Sequence, residues 1–250
     1  MMLKVVAVLS ILALMPACAT HPKTAAGRPA AIARIAIIPA SNPKSYSFEN
    51  AAPPIGGYPF QFWVNKADSK SKARTFNEKL NSQPSDLGDK FTEEVASALR
   101  AKGFTVEILE GLARPADDPD NIDYDKINSH ADAILHLWIS EIGLYSSGFS
   151  LDYIPRVNAS GKLFVPGQED NLYDEEIYYG VDARKGKEWA IVPDAKYAYR
   201  SFDLVMSNID DVRSAYATGV LEISRRMSEQ IYRATKNLAA EESAQTKPVN

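Results

Sequence analysis

Two periods of apolar residues run along this chain and lay out its elements. Residues 34–39, RIAIIP, are an isoleucine-rich apolar run closed by proline, the pattern of a strand buried on both faces. After a long insert, Leu87, Phe91, Val95 and Leu99 recur every four residues, behind Ser85 as a candidate cap and ahead of Gly103 as a left-handed stop, which predicts an amphipathic helix. Phe104, Val106 and Ile108 then alternate with Thr105 and Glu107 as a second strand, completing a βαβ unit with a right-handed crossover. A short helix near 123–129 should lead into a third strand within DAILHLWISEIGLY. A hairpin at about 153–165 and 172–180 follows, with Gly167 and Asn171 as turn residues. From 208 to 236, Ile209, Val212, Tyr216, Val220, Ile223, Met227 and Ile231 advance by three or four, so one stripe of a long helix must lie on the sheet. The expected fold is α/β: a mixed sheet of about five strands opened by the βαβ unit, with the long C-terminal helix packed on it.

Two inserts interrupt this plan, at 41–83 and 181–207. The first carries Tyr46, Phe48, Tyr58, Phe60, Phe62 and Trp63 among prolines and glycines, and the second carries Trp189, Tyr197, Tyr199 and Phe202. Long loops in compact domains are usually functional, and exposed aromatics anchor interfaces. The first three strands should be parallel, and the hairpin reverses direction twice, so both inserts should leave the same end of the sheet. The expectation is that Tyr58, Phe60, Phe62 and Trp63 join Trp189, Tyr197 and Tyr199 in one aromatic contact surface. The competing arrangement is a satellite core in which the rings bury one another.

The N-terminus changes the picture from a generic domain to an exported one. Lys4 is followed by Val5 to Leu14, ten residues without charge, and the run breaks at Pro16, well short of the roughly 20 apolar residues a spanning helix needs. A cleaved signal peptide over residues 1–17 is the better reading. The run ends at Cys18, the chain's single cysteine, and Leu14-Met15-Pro16-Ala17-Cys18 resembles the lipobox of bacterial lipoproteins. The resemblance implies cleavage before Cys18 and a covalent diacylglycerol and N-acyl lipid on it, which would hold the protein to a membrane. Ala19, rather than aspartate, follows the cysteine, which in that family implies the outer membrane. Residues 18–33 then read as a lipidated tether, 34–238 as one α/β periplasmic domain, and 239–250 as a flexible tail.

From Cys18 onward, 27 basic side chains face 32 acidic ones, a balance that disfavours nucleic acid as a partner. With one cysteine no disulfide can form within the chain. No HExxH, CxxC, GxSxG or phosphate-loop pattern is present. His136 shares a strand face with Ile134 and Trp138, where a hydrogen-bonded core histidine is the expected role. DDPDNIDYD, residues 117–125, offers oxygen ligands but puts Lys126 where a calcium loop needs glycine, so a helix cap is expected there. Catalytic residues, a metal and a cofactor other than the lipid are therefore not expected. The pattern specifies no oligomeric state.

RIAIIP, the helix ending VASALRAKGFTVEIL, the stretch SHADAILHLWIS and the terminal helix together resemble a group of bacterial envelope proteins: the N-terminal domain of the Tol translocation protein, the curli secretion lipoprotein, and the lipoprotein activator of penicillin-binding proteins. The resemblance implies a fold and an address. The functional expectation is a lipid-anchored binding or scaffold protein on the periplasmic face of the outer membrane, meeting an envelope protein in envelope assembly or cell-wall biogenesis. A carrier of lipid or another apolar ligand is the second class, in which the same aromatics would line a pocket. An enzyme is the third.

Overall fold

A computed structural model describes residues 31–50, 59–146 and 152–245, with the side chains of 50, 59–68 and 237–245 outside the description. The elements are β1 (Arg34–Ile38), β2 (Ser47–Asn50), α1 (Pro59–Leu80), α2 (Leu87–Ala101), β3 (Thr105–Ile108), a 3-10 turn (Tyr124–Lys126), β4 (Ala133–Ser146), β5 (Tyr153–Phe164), β6 (Asn171–Gly180), β7 (Ala190–Ile191), a second 3-10 turn (Ala195–Tyr197), α3 (Phe202–Ser207) and α4 (Ile209–Gln245). They build one mixed seven-stranded sheet in the order β3-β1-β4-β5-β6-β7, with β2 also pairing β4. β1 is parallel to β3 and β4, β4–β5 and β5–β6 are antiparallel, and β6 therefore points the way β1 does.

The fold class is the expected one, and the two strands beyond the expected five come from the inserts. β2 lies in the first insert and adds in parallel to the C-terminal end of β4, from Gly143 to Ser146. Glycine is needed there because a Cβ on Gly143 would sit 2.1 Å from Ser47 O. β7 lies in the second insert and pairs with Tyr178 and Tyr179. The chain leaves β6 through Gly180, at φ +104, where a Cβ would meet Pro155 O at 1.7 Å.

α2 and α4 cover one face of the sheet. Ile35 and Ile37 of β1, Leu135 and Leu137 of β4, Val157 and Leu163 of β5, and Ile177 and Tyr179 of β6 point into that core with the stripes of both helices. On the other face, the β3–β4 connection covers only the β1 side, where Ala36, Ile38, Leu109, Ile122 and Ile134 form a second, smaller core. A bulge at Ser140, between Ile139 and Glu141, resets the alternation of β4, so that Ile142 and Leu144 still bury toward the helices.

Three expectations are corrected locally. The region 59–80 is a helix, not a loop: Pro59 suits the first helical position, and Ala73, Phe76 and Leu80 recur at helical spacing, with Phe76 and Leu80 buried. α4 runs to Gln245, past the end of its apolar stripe, because AAEESAQ is rich in strong helix formers even where nothing apolar marks it. Ser85 is not the effective cap of α2. Asn42, from the loop after β1, accepts the N–H groups of Gly88 (2.8 Å) and Asp89 (3.2 Å) through Oδ1, leaving Ser85 only a 3.5 Å contact with Leu87 N.

Candidate interaction surface

The inserts meet at the C-terminal end of β1 and β6. Phe48, from the first insert, packs against Phe76 (5.2 Å), Tyr153 (4.9 Å) and Phe202 of the second insert (5.2 Å, edge-on). Tyr46 stacks on Tyr216 of α4 at 5.6 Å and an interplanar angle of 9°. Tyr153 and Tyr199 exchange backbone hydrogen bonds, at 2.7 and 3.0 Å. Rings beyond the strand ends would expose large apolar areas to water, and α3, α4 and α1 close over them instead.

The aromatic surface expected from sequence is therefore redistributed. Tyr197 and Tyr199 are buried, at 8% and 6% exposure, and are corrected from surface anchors to core residues. The Tyr197 hydroxyl lies 3.3 Å from Thr218 Oγ1 of α4, and burial raises the Tyr199 phenol to about 12. Phe60, Phe62 and Trp63 stand in the first turns of α1, with side chains outside the description. Tyr58 and Cys18 lie outside the described residues. Trp189 is partly exposed and packs edge-on against Tyr178 at 5.3 Å.

Trp189 stands at the outer edge of β6, lining the cleft toward α4 and turning its ring against Tyr178 of the half of the sheet, over β4, β5 and β6, that no described helix covers. Strand alternation places Trp138, Glu141, Tyr145, Arg156, Lys162, Glu176 and Tyr178 on this face, all partly exposed. At its centre the Arg156 guanidinium lies 2.8 Å from Asp182 through Nε, and 3.7 Å from both Glu49 and Glu141 through Nη1; Tyr145 stacks on it at 4.7 Å. Glu49 comes from the first insert and Asp182 from the second. Arg156 thus fastens both inserts to β5 from the open face, as the Phe48 cluster does from the helical face. Asn158, 7% exposed, donates Nδ2 to Asp182 at 3.0 Å.

A second group lies one strand over. Glu176 accepts from the hydroxyls of Ser140 and Tyr178, and the bond that Tyr178 donates to this carboxylate pushes its phenol up to about 12. Toward β1 the face closes on His136, whose Nδ1 lies 2.8 Å from Tyr124 OH and whose ring packs against Trp138 at 5.0 Å. Burial, with Arg114 and Lys162 nearby, lowers the His136 pKa to about 4, so the ring is neutral at physiological pH. Asp123 Oδ1 accepts from Asp125 N (3.2 Å) and its Oδ2 pairs with Lys126 (2.9 Å), the geometry of a cap. Among the described residues, no group of three or more His, Cys, Asp or Glu is placed to hold a metal ion. No described helix is long and apolar enough to cross a membrane.

The open face was legible as alternation: residues 156, 158, 160 and 162, and residues 174, 176 and 178, are polar or aromatic against apolar or small residues at most positions between them. The Arg156 cluster was not legible, because the bulge at Ser140 displaces the register that sets Glu141 beside Arg156.

No protein-family model matches the chain, and no curated protein matches it. Solved structures similar to it include protein XCC0632 of family DUF330 from Xanthomonas campestris (TM-score 0.40, 10% identity, 86% of this chain and 89% of that one). Others are protein CT253 from Chlamydia trachomatis (TM-score 0.34, 12% identity, 80% and 98%) and lipoprotein GNA1162 from Neisseria meningitidis (TM-score 0.30, 13% identity, 73% and 98%). At scores this low they carry no argument about function.

Proposed function

We propose that this protein is a lipid-anchored binding or scaffold protein of the bacterial envelope, held through Cys18 on the periplasmic face of the outer membrane, and that it meets a protein partner on the helix-free face of its sheet. The observation that carries the reading is that face. It gathers three partly exposed aromatic side chains, Trp138, Tyr145 and Tyr178, among paired charges on rigid strands, with Trp189 at its edge against Tyr178, the composition of an interface with aromatic anchors and a polar rim. The lipobox at Cys18 supplies the address, and the charge balance argues against nucleic acid.

The carrier reading is weaker for a specific reason. Phe48, Phe76, Tyr153 and Phe202 pack ring against ring at 4.9–5.2 Å, filling the space an apolar ligand would occupy. The cleft nearest the first insert, about 420 Å³, is open and lined largely by polar residues such as Ser41, Asn42, Asp120 and Glu141. A role in binding rather than catalysis is part of the same proposal.

Affinity purification from crosslinked envelopes tests it. One dominant protein partner, weakened by roughly 2 kcal/mol or more when Trp138 and Trp189 are both replaced by Ala in a folded protein, is the expected result. Copurifying lipid without a protein partner would overturn it.

A further inference from the structure

The sheet has two edges, finished differently. At the β3 edge, four residues long, Arg100 Nη2 donates to Val106 O at 3.3 Å, so a side chain already occupies a carbonyl that an added strand would need. At the other edge, β7 pairs only with Tyr178 and Tyr179, and residues 171–177 of β6 have no strand beyond them among the described residues. A strand residue directs its N–H and C=O to one side, and its neighbour to the other. Tyr178 N–H donates outward to Trp189 O at 2.8 Å, so Asp174 and Glu176, two and four residues earlier in an unbroken register, direct theirs outward too.

Beside this edge an open cleft of about 460 Å³ lies between β6 and α4. Tyr173 donates its hydroxyl to Gln230 at 2.8 Å within it, and Trp189 and Arg233 also line it. The carboxylates of Asp174 and Glu175 are exposed along the edge, and Glu188 lines the cleft as well. A second copy pairing edge to edge would set Asp174-Glu175-Glu176 near its own image, and like charges across a strand pair are destabilising.

We propose that the outer edge of β6 accepts an extended basic segment of the partner protein as an added strand, its backbone pairing with Asp174 and Glu176 and its Lys or Arg side chains meeting the carboxylates of Asp174 and Glu175. This rests on the binding reading above and names the chemistry of the partner. Such a strand continues the sheet where β7 stops, with Trp189 at the end of its groove.

The probe is a blocked heptapeptide, Lys-Lys-Val-Lys-Lys-Val-Lys, which presents lysines on both faces of an added strand, added to the detergent-solubilised full chain, with residue-resolved amide exchange as the readout. At low salt it should slow exchange at Asp174 and Glu176 at least tenfold, and salt should weaken the effect. A Glu–Val analogue should not slow it. Asp174→Pro removes one outward N–H without touching the bonds to β5 and should abolish the slowing at Glu176; Asp174→Lys with Glu175→Lys should do the same if the proline variant folds poorly. Unchanged exchange at both amides under saturating peptide, or equal protection by the acidic analogue, overturns the inference. Partner crosslinking that persists through Asp174→Lys with Glu175→Lys would overturn the edge and leave the binding reading standing.

Discussion

Phe48 and Phe202, 154 positions apart and on different inserts, meet edge-on with ring centroids 5.2 Å apart. Phe48 is buried and Phe202 partly so. Phe48→Ala should destabilise the fold by about 3–5 kcal/mol, the usual cost of emptying a buried phenylalanine site, and Phe202→Ala by less. Urea midpoints of both single variants and the double variant should return a coupling of about 0.5–1.5 kcal/mol. Strict additivity would mean that the inserts fold independently of each other.

Much of this junction could be read from the chain, and part could not. Strand directions follow from connection lengths, so the common exit of the inserts after Ile38 and Gly180 was inferable without knowing any contact. Which rings would be exposed was not inferable. Tyr197 and Tyr199 sit in a stretch without apolar periodicity, and only the long-range closure of α4 over them, at Thr218 and Tyr216, decides that they are buried. α1 escaped notice because, among its described side chains, the stripe is thin, buried Phe76 and Leu80 with partly buried Ala73 on an otherwise polar stretch. The Arg156 network was hidden because its members come from β2, β4, β5 and the second insert, and a bulge displaces the register that would align them.

Arg156→Met keeps the length of the side chain but leaves Asp182, Glu49 and Glu141 without their cation. Breaking a buried pair typically costs about 3–5 kcal/mol, and the partial exposure of Asp182 reduces the expected loss to roughly 2 kcal/mol. Amide exchange should accelerate in both inserts at once, near Glu49 and near Asp182. Loosening of one insert alone would contradict the role of Arg156 as their common fastening.

His136 makes the fold sensitive to mild acid. Its pKa is about 4 when folded, held down chiefly by burial, against 6.5 as the reference value. Between those values the unfolded chain binds a proton that the folded chain does not, so stability is full above pH 6.5 and falls as pH drops toward 4, by about 3 kcal/mol over the window. His136→Gln should remove that slope. Urea midpoints at pH 7, 5.5 and 4.5 for both proteins check it, and parallel profiles would count against it.

Cys18→Ser removes the one thiol to which a lipid could be attached. The variant should lose palmitate labelling and leave the membrane fraction. Retention after a high-salt wash would show that something other than the lipid holds the protein there.

The open face is tested most directly by a photoreactive residue placed in living cells at Trp138, Tyr145 or Trp189, with Glu94 on the outer side of α2 as the control position. The account predicts one protein adduct of discrete mass, shared by the three face positions and absent at Glu94. Adducts that form equally at Glu94, or at none of the face positions while the protein remains folded and anchored, would contradict it.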